Sequence, residues 1–252
     1  KELNLYANIR PISVNDALID FSPIKKERIQ GTDFVIVREL TSGIYFGQPR
    51  QLNKEQAYDT NFYQADEIRR IIRKAFELAQ TRKKQVLSVD KANVLATSKL
   101  WRRIAEEVAC EFPDCQLQHQ YVDSAAMKII QNPAAFDVIV TENLFGDILS
   151  DEASVLPGTL GVLPSASFGV AGNALYEPIH GSAPDIAGKN LANPVSMILS
   201  ASMMLRQSFG MDEIATKIEN ACFTTMAAGI LTADLGGKAT TTEFTAALNQ
   251  RL

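Results

Sequence analysis

Short apolar runs that end abruptly on charged or polar residues constrain this chain most. Phe34-Val35-Ile36-Val37 stops at Arg38, Val86-Leu87-Ser88-Val89 at Asp90-Lys91, and Val138-Ile139-Val140 just before Glu142-Asn143. Each reads as a buried strand. Between the first two, Ile68, Ile71, Ile72, Ala75, Phe76 and Ala79 recur at helical spacing, with Arg69, Arg70, Arg73 and Lys74 on the other face. A second helix is predicted over about 98–111, with Leu100, Trp101, Ile104 and Val108 inward. A strand near 117–122, a helix opening at Asp123 and another near Asn143 follow. Such alternation makes an α/β fold with parallel pairing, and it places Arg38, Lys91, Asp123 and Glu142-Asn143 at strand ends, where ligands bind.

Elsewhere the texture differs. Arg82-Lys83-Lys84 reads as the solvated, cationic end of the first helix. The stretch 43–63, rich in aromatics around Pro49, suggests two extended arms joined by a polar loop and able to pair with another subunit. Past Leu156 the chain becomes rich in Gly and Pro. A domain crossing is expected there, dividing 5–157 from 158–252, with helices near 194–209, 212–228 and 241–250.

Composition narrows the function. With 25 Lys+Arg against 29 Asp+Glu and a net charge of -4, the chain lacks the basic footprint of a nucleic-acid binder. Cys110, Cys115 and Cys222 have neither CxxC nor Cys/His ligand spacing, which points away from disulfides and zinc and toward a reducing, cytoplasmic setting. No apolar run reaches membrane-spanning length. The first residue is Lys1 rather than Met, so processing or a missing N-terminal piece is expected.

Several residues carry chemistry. Asp147 and Asp151 stand four apart on a predicted helix and face the same way, as two ligands of one hard cation would or as an acidic solvent face would. Asp123 fits a helix N-cap as well as a site. Lys91, carried out of a buried strand, suits a proton-transfer role or a snorkelling surface position. Arg38 and Arg10 have the chemistry to clamp a carboxylate bidentately. Tyr45, between glycines, fits hairpin packing or proton donation. The loop Leu175 to Lys189 mixes small residues with His180 and Asp185, allowing close backbone approach to a ligand. Asp185 there is able to accept hydrogen bonds from ribose hydroxyls and would repel a 2′-phosphate. No G-x-G-x-x-G follows a strand, so a Rossmann site is not indicated. His119 reads as structural.

In order along the chain stand Tyr6-Ala-Asn-Ile-Arg10-Pro, Val37-Arg38-Glu-Leu, Gly43-Ile-Tyr45-Phe-Gly, Val89-Asp-Lys91-Ala-Asn-Val94, Tyr121-Val-Asp123-Ser-Ala-Ala-Met, Glu142-Asn-Leu-Phe-Gly-Asp147-Ile-Leu-Ser-Asp151 and His180-Gly-Ser-Ala-Pro-Asp185-Ile. This series resembles the β-decarboxylating isocitrate/isopropylmalate dehydrogenase family from Lys1 to the C-terminus. The resemblance implies a two-domain α/β fold with a non-Rossmann nucleotide site and an intersubunit β arm over about 43–63. It also implies a homodimer with shared sites and NAD-dependent oxidation of a 2-hydroxy acid followed by metal-assisted loss of CO₂.

The isopropylmalate branch is nearest in pattern, implying conversion of 3-isopropylmalate to 4-methyl-2-oxopentanoate in leucine biosynthesis. Isocitrate, homoisocitrate and D-malate or tartrate enzymes are the alternatives, as is an inactive dimerisation and metal-binding fragment. By motif, Arg10 and Arg38 bind substrate carboxylates, and Val94 belongs to the side-chain pocket. Asp123, Asp147 and Asp151 hold Mg²⁺ or Mn²⁺, with Asp123, which also contacts substrate, coming from the partner subunit. Lys91, also from the partner, is the base, and Tyr45 is the acid. His180, Gly181, Ser182, Ala183, Asp185, Ile186 and Asn193 match the cofactor loop, with Asn93 near the nicotinamide. Asp185-Ile186 favours NAD over NADP. Family members carry about a hundred further residues upstream, half of the larger domain, so 158–252 is expected to be only that domain's C-terminal half.

Overall fold

The computed structural model describes residues 2–252. In chain order its elements are β1 (Leu5–Ser13), α1 (Lys26–Ile29), β2 (Asp33–Glu39), β3 (Gln51–Leu52), β4 (Ala57–Tyr58), α2 (Ala65–Gln80), β5 (Gln85–Asp90) and α3 (Ala96–Ala109). Then come β6 (Gln116–Tyr121), α4 (Val122–Gln131), β7 (Val138–Thr141), α5 (Asn143–Ala153), β8 (Pro164–Gly169), β9 (Ala174–Pro178), α6 (Val195–Phe209), α7 (Asp212–Ala227) and α8 (Thr241–Asn249).

Two units are present. The first comprises the chain up to Ile9 with Asp33–Ala153 and Ser167–Asn173, and the second Arg10–Thr32, Ser154–Ala166 and Ala174–Leu252. One boundary near Pro157 does not describe this path. β1 and β8 each begin in one unit and end in the other, so the chain crosses within strands, where sequence texture does not change.

In the first unit the strand order is β6-β5-β7-β2-β1. β7 runs parallel to both β2 and β5, and β6 runs parallel to β5. The apolar runs are buried as their composition dictates, with Phe34, Ile36, Val37 and Val138 through Val140 fully enclosed. All six apolar stripe residues of α2 are 0% exposed. Each buried Ile there contributes about 1.5–3 kcal/mol relative to exposure. The helix opens with the Gln64 backbone N–H donating to Glu67 Oε2 at 2.8 Å. Trp101 is buried and donates from Nε1 to Ser88 Oγ at 3.2 Å.

Two local expectations are corrected. Arg82 is not a solvated helix end: its Nε donates to buried Asp137 at 2.8 Å and its Nη2 to Asp33 at 2.8 Å, while Lys83 Nζ donates to the Asp33 carbonyl. The run staples the starts of β2 and β7, because a buried carboxylate needs a cation that local sequence does not reveal. The 43–63 segment contains little strand. It opens with a 3-10 turn, Gly43–Tyr45, and β3 pairs antiparallel with β4 over two residues each.

The second unit has a core of Leu18, Val162, Val195, Leu199, Cys222, Met226, Phe244 and Leu248, which joins α6, α7 and α8. Arg206 forks onto Glu219 at 2.5 and 3.0 Å, clamping α6 to α7. Thr240 caps α8, accepting from Glu243 N at 3.2 Å while Glu243 accepts from Thr240 N at 2.8 Å. Among the described residues no helix is long and apolar enough to cross a membrane.

Candidate active site

Parallel pairing brings four strand ends to one edge of the first unit. Arg38 lies opposite Thr141, Thr141 opposite Val89, and Asp90 opposite Tyr121. Arg38, Lys91, Asp123 and Glu142-Asn143 therefore line that edge in two groups.

The first group centres on Asp147. Arg38, 8% exposed, donates from Nε and Nη2 to Asn143 Oδ1 at 3.1 and 2.9 Å, and from Nη1 to Asp147 Oδ1 at 2.5 Å. Tyr45 Oη donates to Asp147 Oδ2 at 2.5 Å, and its ring centroid lies 5.6 Å from the guanidinium carbon. One carboxylate thus holds a guanidinium and a phenol together. The hydrogen bond to Asp147, then partial burial, push the Tyr45 phenol up, so it keeps its proton at neutral pH. Gly146 makes the packing possible, since a Cβ there would lie 2.6 Å from Arg38 Cγ.

Beneath this group lies a layer that sequence reasoning missed. Tyr63 Oη accepts from Asn143 N at 3.0 Å, fixing the start of α5. Glu142 is buried and accepts from Asn61 Nδ2 at 3.2 Å, and burial raises it above the ordinary Glu range. Tyr63 and Asn61 sit at the end of the aromatic arm, and its polar residues were the available signal.

The second group is Lys91 and Asp123, joined from Nζ to Oδ1 at 2.5 Å. The lysine holds Asp123 below the usual carboxylate range. Asp123 is not the N-cap of α4, a position taken by Tyr121, and lies in the first turn. Lys91 also lies 5.8 Å from the centroid of the Tyr121 ring, whose other cation is Arg102, itself paired to buried Asp90. Asn93 and Val94 occupy the exposed turn between β5 and α3. The strands carrying Lys91 and Arg38 are separated by β7, two strand spacings or about 10 Å. Asp147 and Asp151 share α5, but among the described residues no three His, Cys, Asp or Glu side chains cluster as a metal site.

A cavity of about 370 Å³ near the opposite strand ends, beside Gln85, Gln116 and His119, brings no such chemistry together. Burial lowers His119 and keeps its ring neutral, in line with a structural residue.

The second unit holds an open pocket of about 880 Å³. His180, Gly181, Ser182, Ala183, Ile186 and Asn193 line it, whereas Asp185 lies on the exposed 3-10 turn Pro184–Ile186 beside it. Ala183 has φ 42 and ψ 62, a left-handed geometry that turns the loop at a non-glycine residue. The N-terminus of α8 secures the opposite wall: Thr241 N donates to Asn190 O at 3.0 Å and Thr241 Oγ1 to Ala192 O at 2.6 Å. Thr159, Gly161, Asp234 and Thr241 also line the pocket, and none stood out in the sequence because three separate segments supply them. Arg10, in β1, belongs to this unit and is half-buried.

Known proteins share this architecture. An isocitrate dehydrogenase structure from Methylococcus capsulatus superposes with a TM-score of 0.89 at 38% identity, covering 100% of this chain and 74% of that one. A 3-isopropylmalate dehydrogenase from Streptococcus thermophilus is 66% identical over 252 residues, 100% of this chain and 73% of the relative. One from Streptococcus mutans is 66% identical over 248 residues, 98% of this chain and 72% of the relative. The family model for isocitrate/isopropylmalate dehydrogenase matches residues 1–248, and the chain belongs to that family of oxidoreductases.

Proposed function

We propose that the protein is an NAD-dependent 3-isopropylmalate dehydrogenase of leucine biosynthesis, acting in the cytoplasm as a homodimer with shared active sites. The observation that carries this reading is the Arg38-Asp147-Tyr45 triad, which stands apart from the Lys91-Asp123 pair on the same strand edge. One group offers a carboxylate clamp, a proton donor and a metal ligand. The other offers a proton acceptor and a further ligand. Shared sites unite the two across a dimer.

In the proposed reaction Arg38 and Arg10 bind the two carboxylates of the malate moiety. Val94, exposed on its turn, contributes to the pocket for the isopropyl group. Lys91, from the second subunit, takes the proton of the C2 hydroxyl as C2 is oxidised, and bound NAD would supply the hydride acceptor. Loss of CO₂ then leaves an enolate, and Tyr45, held protonated beside Asp147, delivers a proton to its carbon to give the ketone. Asp147 and Asp151 offer hard oxygen donors one helical turn apart, and Asp123 of the second subunit completes a set suited to Mg²⁺ or Mn²⁺. A cation held there would supply Lewis acidity for the oxidation and for the loss of CO₂. His180, Gly181, Ser182, Ala183, Asp185, Ile186 and Asn193 would hold NAD at the pocket of the second unit, with Asn93 serving its nicotinamide end. Asp185 would accept from the adenosine ribose hydroxyls and would disfavour a 2′-phosphate. The first unit, which holds most of 5–157, would be the smaller domain, and the second, which holds most of 158–252, part of the larger.

Turnover of 3-isopropylmalate, D-malate, tartrate, isocitrate and homoisocitrate with NAD and Mg²⁺ tests the assignment. The expected result is a preference for 3-isopropylmalate in kcat/KM. A preference for any of the others would overturn it.

A further inference from the structure

We infer that Asp234 is a positioning residue for the cofactor, holding Asn193 and the 159–161 segment in the shape that binds it. The inference rests on the reading of the second unit's pocket as the NAD site. Asp234 Oδ2 accepts from Thr159 Oγ1 at 2.9 Å and from Asn193 Nδ2 at 3.0 Å, and its Oδ1 accepts from Thr232 Oγ1 at 2.5 Å. One carboxylate therefore ties together three segments far apart in sequence. Each bond is charge-assisted and directional.

The consequences reach the pocket surface. Thr159 Oγ1, donating to Asp234, accepts in turn from Gly161 N at 3.1 Å. The amide of Asn193 is locked from both sides, its nitrogen on Asp234 and its oxygen accepting from Val195 N at 3.0 Å. An amide has a second N–H and a second carbonyl lone pair, and the lock fixes which way these face the ligand.

Gly161 supplies an independent observation. A Cβ there would lie 2.6 Å from Asp234 Oδ2 and 3.0 Å from Asn193 Cβ. The glycine leaves the space that the carboxylate occupies. Thr159, Gly161, Asn193 and Asp234 all line the pocket. Asp234 itself sits on a 3-10 turn anchored by buried Leu235 and Thr232. It acts through Asn193 and the 159–161 backbone rather than on the reacting atoms.

The test measures NAD affinity by calorimetry, together with steady-state kinetics, in the intact enzyme. Asp234→Ala and Gly161→Ala should each raise Kd and KM for NAD by about tenfold, with kcat and KM for the hydroxy acid within about twofold. The double variant should be worse than either single one by less than the product of their effects, because both disturb the Asp234–Asn193 contact. Asp234→Asn, which keeps one acceptor oxygen, should fall between wild type and Asp234→Ala. If Asp234→Ala fails to fold, Gly161→Ala, one added carbon, carries the test.

Gly181→Trp serves as the control for the pocket, since its Cβ would enter open space. A loss of NAD binding in Gly181→Trp with unchanged affinity in Asp234→Ala and Gly161→Ala would overturn the inference alone. Unchanged NAD binding in Gly181→Trp would remove the cofactor from this pocket and overturn both readings.

Discussion

The charged edge of the first unit and the pocket of the second unit are built on opposite plans. At the edge, groups of full charge sit on the ends of parallel strands and already satisfy one another, Arg38 with Asp147 and Lys91 with Asp123. The pocket is made of small residues and loops, and on the wall formed by Thr159 and Asn193 its polar contacts run through neutral hydroxyls and amides to one carboxylate. The difference matches the tasks proposed for them. Proton transfer and metal binding need charges held rigidly by strands. A dinucleotide needs close backbone approach, which side chains would obstruct.

That contrast is open to attack from either side. The largest effect should come from Lys91→Met, which removes the proposed base: turnover should fall by about 10² to 10⁴ while NAD affinity is unchanged. A parallel loss of NAD binding would erase the division of labour. Asp147→Asn should raise the Mg²⁺ concentration for half-maximal activity by at least about tenfold. Unchanged metal dependence in a Mg²⁺ titration would remove Asp147 from the ligand set.

Gly146→Ala forces a Cβ against Arg38 and should cost about 1–3 kcal/mol in urea unfolding, with a raised KM for the hydroxy acid and not for NAD. Ala183→Val should do the reverse in kinetics. A β-branched residue in left-handed geometry strains the loop by about 1–3 kcal/mol and raises KM for NAD alone.

The smallest effect concerns Glu142. Burial, opposed by the Asn61 hydrogen bond, raises its folded value above the ordinary 4.5. The folded state then holds the proton more tightly than the unfolded chain does. Its stability contribution is complete below that ordinary value and is lost as pH rises through the raised one. Glu142→Gln should flatten stability against pH over that window in urea melts, and an unaltered slope would assign it to other groups.

Much of this was legible from residues alone because burial follows local periodicity. The stripe of α2 and the apolar runs of β2, β5 and β7 read directly as core, and the residues just beyond those runs form the charged edge. Resemblance supplied what periodicity lacked, singling out Lys91 and Asp123 over a surface lysine and a helix cap. What stayed hidden depends on partners distant in sequence. Arg82 finds Asp137, Asn143 N finds Tyr63, and Asp234 gathers Thr159 and Asn193, and nothing in the neighbouring residues of any of these announces the partner. The crossing of β1 and β8 between units is hidden for a related reason, since a strand keeps its pattern whichever core it serves.

The central claim is that the two groups on the edge complete each other across subunits. Lys91→Met and Asp147→Asn are co-expressed and the mixed dimers assayed for 3-isopropylmalate oxidation at a Mg²⁺ concentration that saturates the wild type but leaves Asp147→Asn dimers nearly inactive. If the sites are shared, half of the dimers are mixed and each carries one wild-type site, restoring about a quarter of wild-type activity. Activity no higher than that of either variant alone would contradict the account.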